Sequence, residues 1–177
     1  MKNNVLKTLL ICAASLNVGN ALGEQEYYAA DTFVNEAFDH ATPPANSLWL
    51  TGKLGEQAAT ILGHPPRNLR ERYWQRGNRS VWILEEVGKE HPFTVGWVVE
   101  DEAITDTKVL VYRETRGWEV RYPAFTRQFN GASLEAGMEL DTHIDGISGA
   151  TLSVRAMQRM GRLALLLHRH VMLANAP

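Results

Sequence analysis

Residues 80–115 read SVWILEEVGKEHPFTVGWVVEDEAITDTKVLVYRET, and this stretch decides the fold class. It contains three runs rich in β-branched and aromatic residues: SVWILEEV (80–87), FTVGWVVE (93–100) and TKVLVYRET (107–115). Such runs are typical of strands, and DEAITD between the last two predicts a hairpin connection. The stretch therefore predicts at least three antiparallel strands.

A long amphipathic helix is predicted after these strands. From Thr151 onward, apolar residues recur at three- and four-residue spacing while arginines fall on another face. Between the strands and the helix, RGWEVRYPAFTRQFNG (116–131) predicts a long loop with a short amphipathic piece. We expect an α+β fold, in which a twisted, half-barrel-like antiparallel sheet packs against the C-terminal helix through Val154, Met157 and Ala164.

The region before the strands predicts helices and loops. Phe33, Ala37 and Phe38 recur at helical spacing, and KLGEQAATILG (53–63) is followed by two prolines, a usual helix stop. The basic segment RNLRERYWQRGNRS (67–80) predicts a solvated face rather than a phosphate groove. The chain thus divides into three parts: residues 1–23, an N-terminal helical and loop region (24–79) and a C-terminal domain (80–177).

Residues 1–23 have the features of a secretory signal peptide. Lys2 and Lys7 precede or flank the apolar run 9–16, and Ala21-Leu22-Gly23 supplies the small residues of a cleavage site. The run is about half the roughly twenty residues that span a bilayer, which favours removal of this segment. We therefore expect a periplasmic protein beginning near Glu24, with a retained N-terminal membrane anchor as the alternative.

Charge and side-chain chemistry exclude several classes of function. A formal net charge of -2 gives no basic bias, so we expect no nucleic-acid partner. Cys12 is the single cysteine and lies in the predicted signal peptide, which excludes Cys-ligated zinc, iron–sulfur clusters and thioether-linked haem from the mature chain. His143, His168 and His170 lack metal-ligand spacing, so we interpret them as solvated or capping residues and expect no metal site.

The segment DGISGAT (145–151) lies directly before the predicted helix, and two interpretations of it are open. Ser148 or Thr151 could cap the helix through its hydroxyl, with an Asx turn just before it. The small residues Gly149 and Ala150 could instead let backbone N–H groups at a helix start approach a phosphate. The lysine of a P-loop and the three-glycine spacing of a dinucleotide fold are both absent, so ordinary nucleotide binding is poorly supported.

This segment resembles the flavinylation motif D-x-x-S/T-G-A-T of the FMN-binding domain family. Other segments resemble the family in the same order: TVGWVVEDEAI (94–104) its central hairpin, YRETRGWEV (112–120) its E-T-x-G segment, and FTRQFNG (125–131) its Q-F-x-G segment. The family includes the covalently flavinylated subunits of the sodium-pumping NADH:quinone oxidoreductase and of the Rnf complex. The resemblance covers about residues 80–165 and implies that residues 80–177 form an FMN-binding domain.

The resemblance also implies a role for each matching residue. Thr151 would carry FMN as a phosphoester, made by a separate magnesium-dependent flavin transferase with FAD as donor. Asp145 and Ser148 would serve in recognition or positioning. Trp118 could stack on the flavin ring, although a core position is favoured because the chain has five tryptophans. The cofactor-binding residues expected on this basis are Thr151, Asp145, Ser148, Gly149, Ala150, Glu114, Thr115 and Gly117.

The function implied is that of an exported protein that carries FMN covalently and transfers electrons between membrane or periplasmic redox partners. The alternative, from a different class, is an exported ligand-binding or interaction module in which the SGAT segment is only a helix cap. A flavin reductase with its own substrate lacks support, since the sequence shows no acid–base pair or nucleophile constellation. We therefore expect an electron carrier rather than a stand-alone enzyme.

Overall fold

The computed structural model describes residues 25–175, which form a six-stranded antiparallel sheet with helices on both faces. The predicted signal peptide and the predicted membrane anchor lie outside these residues. Within the described range, no helix is both long enough and apolar enough to span a bilayer. In chain order the elements are β1 (Gln25–Glu26), α1 (Ala30–Ala37), β2 (Ala45–Trp49), α2 (Gly52–Leu62), β3 (Arg70–Arg76), β4 (Arg79–Val87), β5 (Pro92–Glu100), β6 (Ala103–Tyr112), α3 (Pro123–Thr126) and α4 (Thr151–Ala174), with short 3-10 helices at Trp118–Arg121 and Arg127–Phe129.

The sheet has the order β1-β6-β5-β4-β3-β2, and every neighbouring pair is antiparallel. The three strands predicted from residues 80–115 are its central strands, so the α+β class and the antiparallel sheet are confirmed. The sheet is open and uncurled, not half-barrel-like. The β5–β6 turn is only two residues long, with positive φ at Asp101 and Glu102, so Ala103–Asp106 belong to β6 and not to the connection.

Helix α4 packs on one face of the sheet, as predicted. Val154, Met157 and Ala164 are all buried, and the helix contacts β4, β5 and β6. Helix α2 packs beside α4 on the same face. On the opposite face Phe33, within α1, and Phe38, directly after it, form a second buried cluster with residues of β4, β5 and β6. The central strands are therefore covered on both faces, which explains their nearly continuous apolar sequences.

The region 24–79 does contain two helices, but the prediction that it holds only helices and loops is wrong. β2 and β3 extend the sheet, and β3 pairs with β4 across the tight turn at Gly77 and Asn78. Both strands lie near an edge, where polar residues are tolerated, and β2 is largely exposed. Because both strands are polar, they lack the hydrophobic alternation from which strands are predicted.

The arginines of β3 are exposed, as the prediction of a solvated face requires, and all three also lie over aromatic rings. The guanidinium carbon of Arg72 lies 5.1 Å from the ring centre of Trp74, and that of Arg76 lies 5.4 Å from the ring of Phe38. Arg70 makes a similar contact of 5.9 Å with Trp49. These arginines therefore cover aromatic rings, an arrangement that cation–π attraction stabilises.

Candidate functional site

The start of α4 is not capped by a side chain. Ala150 occupies the N-cap position with φ -116° and ψ 19°, and neither Ser148 nor Thr151 makes a capping hydrogen bond. Gly149 has φ +80°, a left-handed conformation that favours glycine. The N–H groups of the first helical turn thus lack a side-chain partner, and the interpretation of SGAT as a side-chain cap is wrong.

A cleft of about 510 Å³ opens at this helix start. Its walls are the first turn of α4, the loop after β6 and the turn between β4 and β5. The cleft lies where the end of the central hairpin meets the helix N-terminus. Its lining residues are Lys89, Glu114, Thr115, Arg116, Gly149, Ala150, Thr151, Leu152 and Ser153.

The structure brings together five of the eight residues expected to bind the cofactor. Glu114 and Thr115 form one wall, and Gly149, Ala150 and Thr151 form the other. Gly117, the sixth expected residue, lies behind the wall, where an added Cβ would come within 3.2 Å of the Ala150 Cβ. The two segments adjoin only in the folded chain, although they lie more than thirty positions apart in the sequence.

Asp145 and Ser148 are exposed and do not line the cleft. The backbone N–H of Asp145 donates to Gln128 Oε1 at 2.7 Å, which ties the DGISGAT segment to the Q-F-x-G segment. The Asp145 carboxylate lies 3.6 Å from His143 Nε2 at the surface. Gln128 thus holds the loop before α4, and neither Asp145 nor Ser148 forms the wall of the cleft.

Glu114 holds the turn between β4 and β5. Its Oε1 accepts hydrogen bonds from three successive backbone N–H groups, those of Lys89, Glu90 and His91, the last two at 2.7 and 3.1 Å. A carboxylate bound by several N–H groups fixes a turn well. Glu114 thereby sets the position of Lys89, whose side chain lies at the cleft mouth and is 3.2 Å from Glu90.

Sequence analysis missed a buried hydroxyl pair at the floor of the cleft. Tyr112 Oη lies 3.0 Å from Ser153 Oγ and donates a hydrogen bond of 2.7 Å to the carbonyl oxygen of Arg116. Burial raises the pKa of Tyr112 to about 12. The one sequence signal was Ser153 itself, a polar residue two positions after Thr151 on the apolar side of the helix.

Trp118 is 41% exposed, so the predicted core position is wrong. Its ring meets that of Tyr122 edge-on, with the centres 5.5 Å apart. The guanidinium of Arg121 lies 5.3 Å from the Trp118 ring centre and 4.2 Å from that of Tyr27. This aromatic group lies at the surface beside Gly117 and does not line the cleft.

His168 is buried, which corrects its interpretation as a solvated or capping residue. The Ser80 hydroxyl lies 2.8 Å from His168 Nδ1 and accepts a hydrogen bond from Trp82 Nε1. Burial lowers the pKa of His168, so the ring is neutral at pH 7. Across residues 25–175, no cluster of three or more histidine, cysteine, aspartate or glutamate side chains could hold a metal ion.

Comparison with known families decides the assignment of this cleft. Residues 88–166 match the model of the FMN-binding domain. This stretch of the chain is similar to the FMN-binding domain family. The match contains every residue that lines the cleft, and it confirms the resemblance seen in the motifs of residues 80–165. No curated protein matches the chain.

The cleft of the FMN-binding domain fits its cofactor in size and chemistry. Its volume lies within the roughly 300–1,000 Å³ usual for small-molecule sites. The uncapped start of α4 favours an anion, and the cationic side chains of Lys89 and Arg116 line the same cleft. Because Gly149 carries no Cβ and has open space around it, a phosphate can approach the backbone there. The residues present therefore suit a flavin mononucleotide.

Proposed function

We propose that this protein is an exported electron carrier that holds FMN covalently as a phosphoester of Thr151. The observation that carries the proposal is the position of the Thr151 hydroxyl. It belongs to an exposed residue at the first position of α4, on the wall of the cleft, where no side chain caps the helix. Bound FMN supplies redox chemistry that no side chain of this protein offers.

The attachment uses Thr151 as the nucleophile. Its oxygen bonds to the phosphorus of the FMN half of FAD, the pyrophosphate bond breaks, AMP leaves, and the hydroxyl proton is lost. The resemblance to the flavinylation motif implies that a separate magnesium-dependent flavin transferase performs this step. The product keeps one negative charge, which the helix start stabilises by about 0.3–1 kcal/mol.

Covalent attachment suits a carrier that works outside the cytoplasm. A dissociable cofactor is lost by dilution, whereas a tethered one has an effective concentration independent of supply. The cleft opens at the surface beside exposed Leu152, which leaves the site accessible to a redox partner. We propose membrane or periplasmic proteins as the electron donor and acceptor.

Intact mass spectrometry after co-expression with a flavin transferase tests the attachment. Wild-type protein should gain the mass of FMN less one water, mapped to the peptide that contains Thr151. Thr151→Val keeps the branched shape but removes the nucleophilic oxygen, so it should fold and stay colourless. Thr60→Val is the matched control, because Thr60 lies on α2 away from the cleft. Ser148→Ala should keep at least some flavin, because Ser148 lies outside the cleft lining.

Two outcomes would overturn the carrier proposal. One is acid-resistant flavin on Thr151→Val, and the other is wild-type protein that gains no flavin in the presence of an active transferase. Neither can arise from misfolding alone if far-ultraviolet circular dichroism shows that the variants fold. Such a result would favour a binding or interaction module without covalent flavin.

Export is tested separately from flavin attachment. The sequence of residues 1–23 supports cleavage before Glu24, so N-terminal sequencing of protein from the periplasm should begin near that residue. Intact Met1 on protein released only by detergent would favour a retained anchor. Either result leaves the assignment of Thr151 unchanged.

A further inference from the structure

The hydroxyl pair at the cleft floor has a fixed hydrogen-bond polarity. The Arg116 carbonyl can only accept, so the single Tyr112 hydroxyl hydrogen is donated to it at 2.7 Å. Ser153 Oγ, 3.0 Å from Tyr112 Oη, must then be the donor between the two hydroxyls. The raised pKa of Tyr112, about 12, keeps its hydrogen in place near neutral pH.

This polarity makes Ser153 Oγ an acceptor toward the cleft. Its only hydrogen is committed to Tyr112, and within residues 25–175 no donor is hydrogen-bonded to its lone pairs. Ser153 is 4% exposed, so an unmet lone pair there is poorly hydrated. The backbones of Gly88 and Gly117 pack close to this oxygen, since a Cβ on either would lie 3.3 or 2.8 Å from it.

An acceptor at this position selects which part of FMN can lie against it. Phosphate oxygens and flavin carbonyls only accept hydrogen bonds, so they have no favourable contact with Ser153 Oγ, and the N3–H donor of the flavin ring lies at the end of the cofactor remote from the phosphate. Ribityl hydroxyls donate, and they follow directly after the phosphate in the cofactor. Thr151 and Ser153 both line the cleft at the start of α4, so the hydroxyls next to a phosphate on Thr151 enter the cleft that Ser153 lines.

We propose that Ser153 Oγ accepts a hydrogen bond from a ribityl hydroxyl of FMN, and that Tyr112 is a positioning residue that fixes the orientation of the Ser153 hydroxyl. This inference rests on the proposed attachment at Thr151. The contact anchors the flexible ribityl chain one step from its covalent link and so limits the motion of the ring. Tyr112 acts only through Ser153, since it is itself 2% exposed and absent from the cleft lining.

Time-resolved fluorescence anisotropy of the flavinylated protein tests this contact. It measures how freely the flavin moves relative to the protein, on the nanosecond scale. Ser153→Ala should raise the ratio of mobile to anchored flavin roughly fivefold, the change expected when a hydrogen bond of about 1 kcal/mol is lost. Tyr112→Phe should shift the ratio in the same direction by less, because Ser153 remains but its hydrogen is free to turn. Ser47→Ala and Tyr122→Phe are matched controls at exposed positions outside the cleft lining and should leave the ratio unchanged.

Intact mass separates this inference from the carrier proposal. A Ser153→Ala protein that carries FMN with wild-type mobility overturns the ribityl contact and leaves the Thr151 attachment standing. Wild-type protein without the FMN mass overturns the attachment and this contact with it. If Ser153→Ala does not fold, the near-isosteric Tyr112→Phe decides, and unchanged mobility in that variant overturns the inference. A purely structural role for Ser153 would lower the unfolding midpoint without altering the motion of the flavin.

Discussion

Gly117 joins the loop after β6 to the floor of the cleft. Its φ of +77° is a left-handed conformation, and its Cα faces the buried hydroxyl pair. An added Cβ would lie 2.8 Å from Ser153 Oγ and 3.0 Å from Tyr112 Oη. Both the backbone conformation and the close approach therefore require glycine at this position.

Gly117→Ala should consequently destabilise the protein more than Gly131→Ala. Gly131 has a similar φ of +85°, but nothing lies within 4 Å of its Cβ position, so its substitution reports the backbone strain alone. That strain costs about 1–2 kcal/mol. Urea unfolding followed by circular dichroism measures both free energies of unfolding. Equal losses in the two variants would show that the hydroxyl pair moves aside at no cost.

Sequence motifs indicate some residues of the cleft, whereas others can be identified only from contacts in the folded chain. Thr151, Glu114 and Thr115, which the motifs name, lie on the wall of the cleft, and their contact with FMN stays a prediction. Ser153 and Tyr112 went unnoticed because a buried serine and a strand tyrosine acquire a role only when the fold brings them within 3.0 Å. No spacing rule relates two positions on a strand and a helix that are forty-one residues apart.

At the scale of elements, α4 carries the strongest sequence signal and β2 and β3 the weakest. The helix buries thirteen residues along its length, and its apolar periodicity is correspondingly clear. Most of β2 is exposed, and β3, near the sheet edge, has charged or polar residues on both sides of the adjacent Tyr73 and Trp74. Pairing with neighbouring strands, rather than composition, makes β2 and β3 strands. The sequence therefore predicted a loop at β2 and a basic face at β3.

Met157→Asp tests how far α4 depends on its buried face. Met157 is completely buried against the sheet, so the substitution places an unpaired charge in the core. We expect a loss of about 3–5 kcal/mol or the absence of a cooperative unfolding transition. Arg155→Asp, an exposed change on the same helix, should alter stability by only about 0.5 kcal/mol. Similar losses in both variants would contradict the packing described for α4.

At the scale of the whole molecule, one sheet unites the matched FMN-binding segment with the residues before it. The family match begins at residue 88, yet β4, β3 and β2 precede it and continue the sheet. A buried ion-pair network crosses the same boundary: Glu86 Oε1 lies 3.1 Å from both His64 Nε2 and Arg159 Nη2. The FMN cleft is therefore supported by elements that no flavin motif identifies.

The two partly or fully enclosed histidines make opposite contributions to the pH dependence of stability. His64 Nδ1 faces the carbonyl of Pro65 at 2.8 Å, and its other nitrogen faces Glu86. The Pro65 contact and Glu86 raise the pKa of His64. Its stabilising contribution is thus complete below the ordinary histidine pKa of about 6.5 and is lost as pH rises through the raised value.

The contribution of His168 to the pH dependence of stability has the opposite sign, and substituting this residue isolates that contribution. Burial lowers its pKa, so between the lowered value and about 6.5 the unfolded chain binds a proton that the folded chain does not. Its contribution to stability is therefore complete above about pH 6.5 and declines as pH falls toward the lowered pKa.

His168→Gln keeps a polar partner for Ser80 but does not titrate. Urea unfolding at pH 8 and pH 5 should show a larger loss of stability for wild type than for His168→Gln, while the contribution of His64 is common to both and cancels. Parallel pH profiles for the two proteins would mean that His168 is accessible to protons in the folded state, contrary to its burial between α4 and β4.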